Sequence, residues 1–97
     1  METYFLDVAA KELKDAVEYY ETEQAGLGVR FKSEVARAIA RISKHPTAYQ
    51  QLSKRTRRCL IAKFPYGIIY QQNGNEILII AVAHLHRKPD YWLSRDS

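Results

Sequence analysis

Cysteine, proline, glycine and long apolar runs are all scarce in this chain, and each scarcity closes off a class of protein. A single cysteine, Cys59, rules out a disulfide within the chain and with it the stapled secreted scaffolds. It lies in an apolar β-type run without a nearby activating histidine, so a thiol nucleophile is not expected there. Three prolines and four glycines are too few for a fibrous or low-complexity chain. No stretch approaches the roughly 20 apolar residues of a membrane span. The N-terminus, METYFLDVAAKELKD, carries acidic residues where a signal peptide is basic and then apolar, so a soluble, cytoplasmic protein is expected. Repeats and linkers are also missing, which leaves one domain over residues 1–97 with a modest core.

What the chain does have is positive charge and strand-forming sequence. A formal charge of +4 and a pI near 9.3 suit an acidic protein partner, nucleic acid or a ribosomal surface, and charge alone does not choose among them. The stretch from Arg57 to Trp92 reads as three antiparallel strands with basic residues at both ends. Its pivot is Gln72-Asn73-Gly74-Asn75, where Asn-Gly supplies the positive-φ pair of a type I′ turn. A turn centred there sets Tyr70 opposite Ile77, Ile68 opposite Ile79 and Tyr66 opposite Ala81. The first of these strands is expected over Arg58–Phe64, with Lys63 paired near His84 and Pro65 ending it.

Upstream, Glu2–Leu6 is a short strand candidate that adds to the sheet. Ala9, Leu13, Ala16, Val17 and Tyr20 then mark one helix face, with Asp7 as the expected cap and Gly26 as a left-handed stop. Leu27, Phe31, Val35, Ala38, Ile39 and Ile42 form a second helical stripe, ended by Pro46. So short a connection makes the two an antiparallel hairpin. Residues 47–56 are polar and aperiodic and are expected to be a loop, with Tyr49 and Leu52 as its anchors. From Pro89 the chain should form one short helical turn that folds back on the sheet.

Strand, helix pair and then strands is the order of an α+β domain: an N-terminal strand, an antiparallel helix hairpin on a small antiparallel sheet, and a short C-terminal helix. The helices cover one sheet face. The other, carrying Ile69, Leu78, Ile80 and Val82 or their opposite set, has nothing of similar length to cover it, and such an apolar face is expected to meet a partner.

The residues that could carry chemistry are Arg57, Arg58, Lys63, His84, His86, Arg87, Tyr91, Trp92 and Arg95. His84 and His86 share a strand face, but with no third ligand beyond Asp90 a metal site is not expected, nor is any other cofactor. Two readings stay open. A metal-free RNA-cleaving site would use a histidine, Tyr91 and the arginines around a phosphate. Arginines beside Tyr and Trp also make a protein-binding hot spot.

The segments ELKDAVEYYE, GLGVRFKSEVARAIARI, HPTAY, RRCLIAKFPYGIIYQ and ILIIAVAHLHRKPDYWLSR, in this order and spacing, resemble the RelE/ParE superfamily of toxins from type II toxin–antitoxin, or plasmid-stabilisation, systems. The resemblance implies the fold just described and a cognate antitoxin whose C-terminal arm wraps the toxin in a hetero-oligomer. RelE-like members cut mRNA on the ribosome, whereas ParE-like members bind DNA gyrase and trap it on cleaved DNA. Ribonuclease members commonly carry an arginine after the tyrosine that matches Tyr66; here that position is Gly67. Their other basic residues would correspond to Arg57 or Arg58 and to Arg87, and their C-terminal tyrosine to Tyr91. The segments PYGIIY and HRKPDYW look closer to the ParE-like branch. The expectation is a ParE-like toxin with Arg58, His84, Arg87, Tyr91, Trp92 and Arg95 as its target-facing rim. One alternative is a ribosome-dependent mRNA interferase using Arg58, His84 or His86, Arg87 and Tyr91; another is an inactive homologue kept for antitoxin binding.

Overall fold

The apolar stripe of the second helical segment sets the layout, because it needs a surface long enough to bury it. In the computed structural model, which describes residues 1–96, that surface is a five-stranded sheet. The chain runs β1 (Glu2–Phe5), α1 (Asp7–Glu23), α2 (Leu27–Lys44), β2 (Gln50–Gln51), β3 (Arg57–Leu60), β4 (Tyr66–Asn73) and β5 (Glu76–His84), then a 3₁₀ turn at Leu93–Arg95. Strand order is β1-β5-β4-β3-β2. The sheet is mixed rather than wholly antiparallel, since β1 lies parallel to β5. Side-chain alternation encodes which face a residue takes, not the direction of its strand.

Gly26, at φ 87°, makes the left-handed break between the helices. Leu6, not Asp7, is the cap residue of α1, and it makes no side-chain capping bond; Asp7 is instead an acidic residue in the first turn, where the helix dipole favours it. The start of α2 is capped from α1: the Glu21 carboxylate accepts from the N–H groups of Gly26 (2.8 Å) and Gly28 (3.0 Å). The helix ends at His45, before Pro46.

The β4–β5 register differs from the expected one. The two loop residues are Gly74 and Asn75, and of these only Gly74 has a positive φ (61°). This turn lies one residue later than Asn73-Gly74, which moves the pairing by two, so that Tyr70 faces Ile79. A bulge then adds one more residue, giving Ile68 opposite Val82 and Tyr66 opposite His84. The extra residue is Ile80. It sets Ile80 and Ala81 on the same face and returns Val82 to the helix side, where the expected alternation had put Val82 with Ile80. Strand β3 is also shorter than expected, because the chain turns at 61–65, where Ile61 N–H donates to the Tyr66 carbonyl (2.9 Å). Lys63 therefore sits in that turn and does not pair with the His84 region. The expected loop 47–56 contains β2, which pairs with Arg57 and Arg58.

Phe31, Ile42, Ile68, Tyr70, Ile77 and Ile79 fill the layer between helices and sheet. The Tyr70 hydroxyl, held in that layer, donates to the Pro46 carbonyl (2.6 Å). The face expected to be bare is not: Ile69, Ile80, Ala81 and Ala83 pack with Trp92, flanked by Leu52 and Tyr91. Small side chains at 81 and 83 leave a hollow that the indole occupies. The C-terminal turn does fold back on the sheet, starting at Leu93 rather than at Pro89. Its end is tied down by Asp96, which accepts from Ser53 Oγ (2.6 Å) and from the Gln71 amide.

Phe31 is fully buried and Ile39 only partly. Phe31→Ala should cost about 3–5 kcal/mol and Ile39→Ala about 2 kcal/mol. Thermal melts check this, with the Phe31 variant expected to show the larger fall in Tm.

Candidate functional site

Glu12 sits on the inward side of α1, three residues after Ala9 and four before Ala16, both of them buried. A carboxylate in that position must be satisfied by hydrogen-bond donors from the sheet or tail. It accepts from Val82 N–H (3.0 Å), the Tyr91 hydroxyl (2.8 Å), Arg95 Nη1 (2.9 Å) and Nη2 (3.2 Å), and Arg87 Nη1 (3.4 Å). Arg95 also donates to the carbonyl of the bulged Ile80 (3.0 Å). Over this ion pair the Arg87 guanidinium lies 3.8 Å from the Tyr91 ring centre, a stacked cation–π contact.

Five of the expected rim residues fall at one end of the sheet, and their roles divide. Arg58, His84, Arg87, Tyr91 and Trp92 line a depression of 160 Å³. Arg87 is half-exposed. Trp92, at 3 % exposure, is core and not rim, because the hollow over Ala81 and Ala83 takes its ring. Arg95 is likewise internal, with its charge spent on Glu12 and Ile80. Arg58 lies across Gly67, where a Cβ would stand 2.9 Å from its Cγ and Cδ. Its Nη2 donates to Gln50 (2.9 Å), and its buried Nε has no partner. Arg57 turns to the other side and donates to the Tyr49 carbonyl (2.9 Å), a structural role.

β5 ends at His84, so His86 lies in the following turn and not on a shared strand face. The two rings are still 5.3 Å apart, because the His86 N–H donates to His84 Nδ1 (3.1 Å). That bond places the proton of a neutral His84 on Nε2. The Tyr66 ring meets His84 edge-on at 5.0 Å. Among the described residues, no three His, Cys, Asp or Glu side chains converge as a metal site. Burial pushes the Cys59 thiol up, although the Arg41 guanidinium beside it opposes this.

Burial pushes the Tyr91 phenol up to about 12, helped by its bond to Glu12 and by that carboxylate's charge, and opposed by Arg87 and Arg95. A phenol that gives its hydrogen to a carboxylate and holds it so firmly is a poor general acid. The arrangement holds Arg87 at the surface over a tyrosine whose hydroxyl is engaged by Glu12. The hub itself, Glu12, is not among the residues singled out from the sequence. The available signal was a glutamate between Ala9 and Ala16 on an apolar helix face, where the surrounding pattern calls for a hydrophobe.

Two expectations follow. Glu12→Ala should release the tail, shift the emission of Trp92, the only tryptophan, to the red, and cost about 3 kcal/mol by leaving the largely enclosed Arg95 without its partner. Fluorescence and thermal melts read both effects. Tyr70, like Tyr91, is pushed up to about 12, from 10.0, in the folded chain. The unfolded chain loses these protons first, so stability is fully present below pH 10 and falls as pH rises from 10 toward 12. Phenolate absorbance during alkaline titration should show two late-ionising tyrosines.

The comparisons with known proteins agree with this fold. Residues 4–89 match the family described as ParE toxin of type II toxin-antitoxin system, parDE. Among curated proteins none matches in sequence. Among solved structures, a chain of the chromosomal ParDE TA system from P. aeruginosa superposes with a TM-score of 0.77 at 12% identity, over 89% of this chain and 97% of that one. The two share the fold of a helix pair on a small sheet. By the extent of the family match, the chain belongs to the ParE toxins of type II toxin–antitoxin systems.

Proposed function

We propose that the protein is a ParE-like toxin, one domain acting in the cytoplasm by binding DNA gyrase, without a cofactor, and neutralised by a cognate antitoxin. The observation that carries this reading is the state of Tyr91. In a ribonuclease of this superfamily the matching tyrosine belongs to the cleavage site; here its hydroxyl donates a hydrogen bond to Glu12 and its ring is covered by Arg87. Gly67 supports the same reading. An arginine at 67 has no room while Arg58 lies across that position, so the cationic set of the ribonuclease members is short by one. What remains at the surface is Arg87 with His84, His86 and Lys88, a basic patch suited to gripping a macromolecule. The internal pair Arg95 and Trp92 holds that patch in place from behind.

Purified protein should poison gyrase, giving cleaved complexes in a supercoiling assay, and should leave mRNA uncut on translating ribosomes. Cuts without an effect on gyrase would instead establish the mRNA interferase. Inactivity in both assays together with tight antitoxin binding would establish an inert homologue. Arg87→Ala should weaken poisoning by about tenfold or more, the loss of a hot-spot side chain. Its Tm should barely move, because the pair with Glu12 is more than half exposed on the arginine side.

A further inference from the structure

The basic run Lys54-Arg55-Thr56-Arg57-Arg58 puts four cations within five residues, a density found where proteins hold polyanions. Strand β3 divides them. Arg58 goes to the tail side of the sheet, and Arg57, paired opposite Tyr70, goes to the helix side. There a crater of 230 Å³ opens, sharing no residue with the depression at Arg87. Every side chain on its wall carries a hydrogen-bond donor: three cations, Lys54, Arg55 and Arg57, stand among threonines, glutamines and the Tyr70 phenol. Among the described residues, none on that wall is a carboxylate and none is aliphatic. The cations are held in place without being neutralised. Arg57 Nη1 donates to the Tyr49 carbonyl (2.9 Å) and Arg55 Nη2 to Asn73 Oδ1 (3.1 Å), both uncharged acceptors. No ion pair among the described residues includes Lys54, Arg55 or Arg57. Their loop is closed on itself: Leu52 N–H donates to the Thr56 carbonyl (2.9 Å), and the hydroxyls of Ser53 and the fully buried Thr56 meet at 2.6 Å. Asp96 does reach this loop, but from the tail side, where Ser53 Oγ and the Gln71 amide engage it.

We propose that this crater holds phosphates of a nucleic-acid duplex, contacting the backbone without reading the bases. Phosphate oxygens accept from guanidinium, ammonium, hydroxyl and amide donors together, and that is the set the wall presents. An acidic peptide would need apolar anchors as well, and the wall offers none. A single strand would need an open ring on which to stack its bases. The aromatic on this wall, Tyr70, is only 1% exposed, and its hydroxyl is given to the Pro46 carbonyl. Up to three phosphates can be met, one for each cation. The grip is therefore sequence-independent and sensitive to salt. It does not depend on which enzyme the toxin poisons.

The probe is a short, end-labelled DNA duplex of mixed sequence, titrated with the whole chain while fluorescence anisotropy is read at several salt concentrations. The logarithm of the affinity should fall linearly with that of the salt, by about 0.9 for each phosphate met. Lys54→Ala combined with Arg55→Ala should bind about tenfold or more weakly at about 50 mM salt, with a slope shallower by about 1.8. Lys14→Ala combined with Lys32→Ala removes the same charge from exposed helix positions and should keep the parent's slope. The Tm of both double variants should barely move, because all four side chains are exposed. A parallel titration with an RNA duplex of the same sequence tells which helix carries the phosphates; binding of either supports the crater. The proposal is overturned by no duplex binding at the lowest salt, by an unchanged slope in the Lys54 and Arg55 variant, or by equal weakening in the Lys14 and Lys32 variant. Tighter binding of the single strand also overturns it, as does inorganic phosphate that displaces the duplex better than chloride at equal ionic strength, which marks a site for the free ion.

Discussion

The conformation of the tail depends on one largely enclosed carboxylate, Glu12. Without Glu12, Arg95 would be a charge enclosed beside the bulge and Tyr91 a phenol without an acceptor, and both would favour solvent. With it, the tail is drawn back across the sheet and Trp92 reaches the hollow over Ala81 and Ala83. Burying these charges is costly by itself, and the gain comes from the completeness of the set: a backbone N–H, a phenol and two guanidiniums share one carboxylate. The network acts less as a source of net stability than as a choice of one tail position over many.

The bulge at Ile80 explains why the network sits where it does. An extra residue in β5 puts Ile80 and Ala81 on one face and leaves main-chain groups around them to be satisfied. Arg95 takes the Ile80 carbonyl and Glu12 takes the Val82 N–H, so both sides of the ion pair are anchored to the irregular part of the strand. The same bulge brings His84 rather than Ala83 opposite Tyr66, which moves His84 toward the helix side at the sheet's end. A regular strand would have left Glu12 and Arg95 fewer reasons to meet.

These features also mark the limit of what could be read from the sequence. Helix periodicity, the Gly26 break and the Pro46 stop depend on residues close together in the chain, and they are legible there. The bulge is not, because Ile79, Ile80, Ala81 and Val82 are all apolar and suit either face equally well. Register through such a run has no polar residue to fix it. That uncertainty misassigned the face of Val82, whereas the misplaced pairing of Lys63 comes from the turn at 61–65 that ends β3 at Leu60, and the open apolar face from a tail whose docking the local pattern does not encode. Trp92 and Arg95 were read as a rim because an aromatic next to basic residues looks like a contact surface; the hollow and the carboxylate that draw them inward come from residues far away in sequence. Arg87 was legible because its position after β5 exposes it whatever the register.

The toxin's arginines thus obey different rules, and the difference bears on function. Arg95 is paired, enclosed and fixed, and it shapes the surface without touching a partner. Arg58 is flattened over Gly67 with its Nε already out of water, so recruiting it to a phosphate would require the side chain to leave the sheet. Of these three, Arg87 alone combines exposure with a fixed direction, given by its stack on Tyr91. A catalytic phosphate clamp needs several cations converging on one point before the substrate arrives. A binding surface needs a few well-held anchors with water-excluding neighbours. One oriented arginine, braced by a tyrosine that keeps its proton, is an anchor of the kind the proposed binding function calls for.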